Sequence, residues 1–341
     1  MLETIWFVLW GVLWAVYFML DGFDLGAGIL APFLAGNETE RRLMLNSMGP
    51  FWDGNEVWLL TAGGVTFAAF PSTYAVMFSA LYTPLLLLLF ALILRAIALE
   101  YRGKAGGESW RKLWDLCHFL GSFVPALLLG VAFANIFQGV PIDGEGAFHG
   151  TLLTLLNPYG LLGGVLFVLL FVVHGALWLA IKCQGPIEER AAKTAAQIWW
   201  LLLVVAVVFL AATWFATQLY NNYLKLPMLW LIPLLTVLGL VGTRFFIASR
   251  SWWKAWFASS LTIVGATLFG VTGLYPNLLP SSLDPKFSMT VWNSASSPLT
   301  LKIMLGVALT FVPIVIAYQI WTYYVFRDKV TEDDLTSEEA Y

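Results

Sequence analysis

Residues 21–30 read DGFDLGAGIL and residues 51–58 read FWDGNEVW, placing four carboxylates in an otherwise apolar region: Asp21 and Asp24, then Asp53 and Glu56. Whether these stretches lie in a soluble core or in membrane helices decides the fold, and their surroundings point to the membrane. Of 341 residues, 60% are hydrophobic and only 11% charged, with a mean hydropathy of +0.79. A water-soluble domain with that composition would lack the polar surface to stay dispersed. The net charge is -3 and the basic residues are scattered, so no face carries the electrostatic footprint of a nucleic-acid binder.

About 20 apolar residues of helix cross a hydrocarbon core of about 30 Å. That length predicts nine spans, near residues 4–28, 51–71, 74–99, 115–137, 157–181, 196–217, 228–247, 255–275 and 299–326. The second is the weakest. Trp52-Asp53-Gly54-Asn55-Glu56 opens it with polar groups and only Pro71 separates it from the third, so eight spans is the alternative count. With nine, 15 of the 18 basic residues, Arg95 and Arg102 among them, fall on one side, leaving Lys225, Lys286 and Lys302 on the other. The excess marks the cytoplasmic side, which sets the N-terminus outside and the C-terminus inside. Met1–Thr4 offers no basic n-region, so the first apolar run reads as a retained span. One transmembrane domain is expected over 1–330, followed by a solvated, partly disordered cytoplasmic tail over 331–341. Pro125 and Pro313 fall inside spans and are expected to kink them.

Acids inside spans face a protein interior or a water-filled cavity, because hydrocarbon penalises charge. Counted at 1.5 Å per residue from Thr4, Asp24 lies roughly 30 Å along the first helix, near its cytoplasmic boundary. Asp53 and Glu56 open the second span from the same side. The i,i+3 spacing within each pair lets both pairs line one cleft reached from the cytoplasm, as a proton path requires. The competing reading makes Asp53 a helix N-cap and Asp21 a surface residue.

A self-contained catalytic centre is harder to find. His118 and His174 lie inside spans and His149 in an outside loop, so one intraspan pair at most is available for haem iron. Lone histidines in spans more often bond a neighbouring carbonyl or side chain. Cys117 and Cys183 belong to no metal-binding spacing and read as inert thiols. No Walker loop, dinucleotide fingerprint, HExxH or GxSxG is present. The chain reads as an accessory to chemistry carried elsewhere.

Five segments, DGFDLGAGIL (21–30), NETERRLMLNSMGPFWDGNEVWLLTAGG (37–64), GSFVPALLLGVAFANIFQGVP (121–141), LLNPYGLLGG (155–164) and LYPNLLPSS with SMTVWNSASSPLTL (274–301), occur in an order that resembles subunit II of the cytochrome bd-type quinol oxidases. The resemblance implies an all-α, nine-helix integral membrane subunit, two four-helix bundles plus a peripheral helix, paired pseudo-symmetrically with a haem-bearing subunit I in a prokaryotic cytoplasmic membrane. Two haems b and one haem d, and the quinol-oxidising loop, belong to subunit I in that family. The acid of the WDGN motif, Asp53 by match, is implied to carry cytoplasmic protons toward the oxygen-reducing haems, with Asp24 a weaker carry-over. Trp52 and Trp58 are expected at the subunit interface. Some family members hold a structural quinone in subunit II, and a small accessory subunit can join; no motif here marks either. The family tolerates a neutral amide where Glu56 stands. Outside the family, a proton-coupled secondary transporter is the competing function. It is disfavoured by the clustering of the acids at one boundary and by the lack of an internal repeat. A self-sufficient dihaem cytochrome is the third reading, disfavoured by the histidine count.

Overall fold

The computed structural model describes residues 1–336, so the end of the expected tail, 337–341, lies outside the described residues. The elements are α1 (Leu2–Leu34), α2 (Glu38–Met48), α3 (Trp52–Ala69), α4 (Pro71–Ala80), α5 (Tyr82–Tyr101), α6 (Glu108–Gln138), α7 (Leu152–Leu155), α8 (Pro158–Lys182), α9 (Pro186–Ala216), α10 (Tyr220–Lys225), α11 (Leu231–Ala248), α12 (Trp252–Leu274) and α13 (Pro298–Val325). Strands β1 (Asn277–Leu279) and β2 (Met289–Thr290) pair antiparallel in the loop before α13. Proline opens α4, α8, α9 and α13, where its missing N–H would have no partner in any case.

Among the described residues, eight helices are long and apolar enough to cross a membrane: α1, α5, α6, α8, α9, α11 with the short turn before it, α12 and α13. α3 has 18 residues, but the polar turn from Asp53 to Glu56 lowers its mean hydropathy. The third expected span is broken into α4 and α5 at Leu81. Pro84, in the first turn of α5, has no N–H to bond the Ala80 carbonyl, which stops the two from fusing.

α1 lies at the centre, packed on α3, α6, α8 and α12. Its glycines allow this. A Cβ on Gly26 would stand 1.8 Å from the Phe171 carbonyl oxygen of α8, and one on Gly175 would stand 2.3 Å from the Ala27 nitrogen. The two helices touch backbone to backbone there. α8 is correspondingly enclosed, 83% buried over its apolar stretch, whereas α13 is only 6% buried.

The end of the bundle that carries Arg102 and Lys182 is held by ion pairs and carbonyl contacts. Arg102 is 4% exposed and bonds Glu38 and Asp115, and buried Lys182 donates to the carbonyls of Phe326 and Asp328. Residues 333–336 form a turn, with Arg42 donating to the Leu335 carbonyl, so this part of the expected tail rests on the protein.

Candidate functional site

Asp21 and Asp24 project from one face of α1 into the space shared with α3 and α5, and both are buried, at 0% and 2% exposed. Asp21 is therefore no surface residue. Its Oδ1 accepts from Arg95 Nη2 of α5 at 2.8 Å, and the same nitrogen donates to Glu56 Oε2 of α3 at 2.9 Å. Arg95, counted above as a cytoplasmic loop cation, is thus a core residue, 1% exposed. Removing it from the tally leaves the basic excess on that side intact.

Asp24 accepts through Oδ2 from Asn55 Nδ2 at 2.7 Å. Asn55 Oδ1 in turn accepts from Gln319 Nε2 and from the Tyr323 hydroxyl, each at 3.0 Å, and Trp58 Nε1 donates to Gln319 Oε1 at 2.8 Å. A polar chain thus runs from α1 through α3 to α13. Trp58 is buried within this chain, and Trp52 is half-buried. Asp21 Oδ2, Asp24 Oδ1, the Tyr17 hydroxyl and two nitrogens of Arg95 remain without hydrogen-bond partners, which is the condition of groups that draw in water. One guanidinium cannot neutralise three carboxylates, and such a set is suited to receiving and passing protons.

Asp53 stands apart from this set. Phe51 holds the N-cap position of α3 and no side chain caps the helix, so the capping role is not the one Asp53 has. It lies in the first turn, exposed in the isolated chain, on a face continued by Gly54, Val57, Leu60, Gly64 and Phe67. No neighbouring atom comes within 4 Å of a Cβ built on Gly54 or Gly64, so this face is open while the opposite face carries Asn55 and Glu56 into the interior. The four acids therefore divide: three gather around Arg95, and Asp53 marks the outer surface one turn from Glu56.

Sequence reasoning missed Arg95, Asn55, Gln319, Tyr323 and Tyr17 as members of the set. A signal existed for two. Arg95 interrupts LLLLLFALILRAIAL, and Gln319 interrupts VIAYQIW; both are polar groups in spans that need interior partners.

The residues do not fit a haem in this chain. His174 Nδ1 lies 3.1 Å from Ser259 Oγ and its Nε2 lies 3.0 Å from the Met19 carbonyl, so both ring nitrogens are committed. His118 is closed in by Gly28 and Ser122, and His149 pairs with Asp143 in the loop after α6 at 2.6 Å. Asp143 is held below the usual carboxylate range by that contact, with further help from the Ala147 and Glu145 backbone N–H groups.

Residues 2–326 match the family model described as cytochrome bd terminal oxidase subunit II. The chain is 38% identical to cytochrome bd ubiquinol oxidase subunit 2 of Bacillus subtilis, covering 98% of both chains. It is 37% identical to cytochrome bd-I ubiquinol oxidase subunit 2 of Escherichia coli, over 98% of this chain and 96% of that one. A probable cytochrome oxidase subunit 2 of Haemophilus influenzae is 40% identical over 94% and 93% of the two chains. In fold, the chain is similar to a solved bd oxidase from Geobacillus thermodenitrificans, with a TM-score of 0.74, 18% identity and 95% of this chain covered.

Proposed function

Because the chain belongs to the cytochrome bd terminal oxidase subunit II family, a family of multi-pass membrane subunits in a respiratory quinol:oxygen oxidoreductase, we propose that it is the haem-free partner of subunit I and supplies part of its proton supply. The transporter and dihaem readings give way to this membership. α3 counts as the ninth span, completing two four-helix bundles and a peripheral helix, with the N-terminus outside. Subunit I holds two haems b and one haem d, where oxygen is reduced with electrons from quinol; a structural quinone and a small accessory subunit are left to the family's range.

The observation that carries the proposal is the two-sided character of α3. Its open face bears Asp53, Gly54 and Gly64 among the exposed apolar Val57, Leu60 and Phe67, as a face that docks another subunit does, while its inner face joins Asp24 and the Asp21–Arg95–Glu56 set. Subunit I covers the open face, with Trp52 contributing directly and Trp58 through α13, whose Gln319 accepts its indole N–H. Protons reach the interface through Asp53, with Asp24 in a supporting role. Taking protons for water from the inside, while quinol releases its own outside, stores about 2.3 kcal/mol per charge per 100 mV.

The test is quinol-driven oxygen consumption by the purified complex carrying Asp53→Asn, with haem absorption spectra recorded alongside. Asparagine keeps shape but carries no transferable carboxyl proton. Turnover is expected to fall about twofold or more with intact haems, as the loss of a positioned proton carrier requires; Asp24→Asn is expected to fall less. Full turnover in Asp53→Asn removes Asp53 from the path.

A further inference from the structure

His118 of α6 is 4% exposed, and neither of its ring nitrogens has a hydrogen-bond partner. Burial alone does not produce this, since His174 is equally enclosed and has both nitrogens engaged. Each unmet buried polar group is a penalty that leucine in the same space would avoid. The nook around the ring is specific. Nε2 lies 2.9 Å, and Ser122 Oγ 2.1 Å, from the point where a Gly28 side chain would begin.

The neighbours on either side form a ladder. α1 and α6 run antiparallel, with Trp14 against Phe133, Gly28 against His118 and Ser122, and Phe33 against Phe119. On the cytoplasmic side, Asp115 precedes His118 by one turn and accepts from Arg102 Nε at 2.7 Å and Arg41 Nη1 at 3.3 Å. Asp115 also lines an open cavity together with Glu38, Arg41 and Arg111. On the inner side, Asp24 lies one turn beyond Gly28, with Oδ1 unpartnered. At 1.5 Å per residue these steps advance about 4.5 Å and about 6 Å along the helix axes. The cations along the way are compensated: Arg41 by Asp115, Arg102 by Glu38 and Asp115, and Arg95 by Asp21 and Glu56.

We infer that His118 is a proton carrier on a second entry from the cytoplasmic cavity, through Asp115 and His118 to Asp24, parallel to the entry at Asp53. The inference rests on the reading of this chain as a proton-supplying subunit. In the step, water on the Asp115 side delivers a proton to one ring nitrogen; the imidazolium then gives up the proton on its other nitrogen to water at Asp24. The ring ends neutral with its tautomer exchanged, and turning over resets it.

The experiment uses the purified oxidase complex carrying His118→Asn, His118→Ala, Asp53→Asn and the Asp53→Asn/His118→Asn pair. It records quinol-driven oxygen consumption, proton uptake with a pH dye after reduced complex meets oxygen, and haem spectra. Asparagine keeps a hydrogen-bonding side chain of related shape but does not titrate. Closing one of two parallel routes is expected to slow turnover and proton uptake about twofold or more in His118→Asn, and the double variant is expected to be slower than either single one. Imidazole is expected to restore His118→Ala and not His118→Asn. Wild-type proton uptake in His118→Asn, or a slowed His118→Ala that imidazole does not restore, overturns the route. If His118→Ala loses its haems, His118→Gln decides in its place, slow uptake with intact haems supporting the route and wild-type uptake overturning it. Slowing by Asp53→Asn without slowing by His118→Asn sinks only the second route; no slowing in the double variant sinks both.

Discussion

Arg95 shows what one residue does in this interior. Its guanidinium offers Nη2 to both Asp21 and Glu56, so it holds α1, α3 and α5 together at a single atom. Removing one member of a buried ion set leaves the others uncompensated and costs about 3–5 kcal/mol. Arg95→Met, which keeps much of the volume, is therefore expected to lower the thermal stability of the complex and its yield with intact haems; Glu56→Gln is expected to cost less, because Glu56 is 23% exposed and reaches water. The acids of this set were legible in the sequence because carboxylates are rare in apolar chain. Arg95 was not, since a cation near the end of an apolar run reads equally as a loop marker and as a core partner. Only the three-dimensional neighbours Asp21 and Glu56 separate the two.

At the scale of elements, glycine and proline positions carry most of the instruction. The DGFDLGAG run places glycine where α1 meets α8, and any side chain at Gly26 would collide with the Phe171 carbonyl. Gly26→Val is expected to push the two helices apart and to abolish recovery of the assembled complex in detergent, whereas Gly54→Ala, on the open face of α3, is expected to leave this chain folded. An effect of Gly54→Ala on association with subunit I would mark that face as the contact. The long apolar spans were readable from hydropathy alone. The break at Leu81 was harder to see, because Pro84 follows it by three residues and the leucines beyond mask the interruption. α3 falls outside the eight apolar helices for a different reason: its polar turn sends Asn55 and Glu56 into the interior set, and those groups lower the very hydropathy by which a span is recognised.

Across the whole molecule, one end of the helix bundle is a layer of ion pairs, with Arg41, Arg102, Glu38 and Asp115 among its members. Arg102 holds the Glu38 carboxylate below its ordinary value of 4.5 through a direct hydrogen bond. A depressed acid stabilises above its unfolded value and loses that contribution as pH falls through the folded one. The hold of α2 on α5 and α6 is thus expected to be complete at neutral pH and to weaken below about pH 4.5. Glu38→Gln is expected to flatten that acid limb in thermal unfolding of the purified complex followed against pH. The lysine and arginine residues were legible as charges to be placed outside the hydrocarbon, but their partners were not, since they lie far away in sequence. α13, scarcely covered by the rest of the chain, is fastened to it by Gln319 and Tyr323 at Asn55. Translation runs from the N-terminus, so α13 leaves the ribosome well after α1 and α3, whose polar groups it seals. Until then the Asn55 oxygen lacks both donors, making closure by α13 a natural checkpoint in biogenesis.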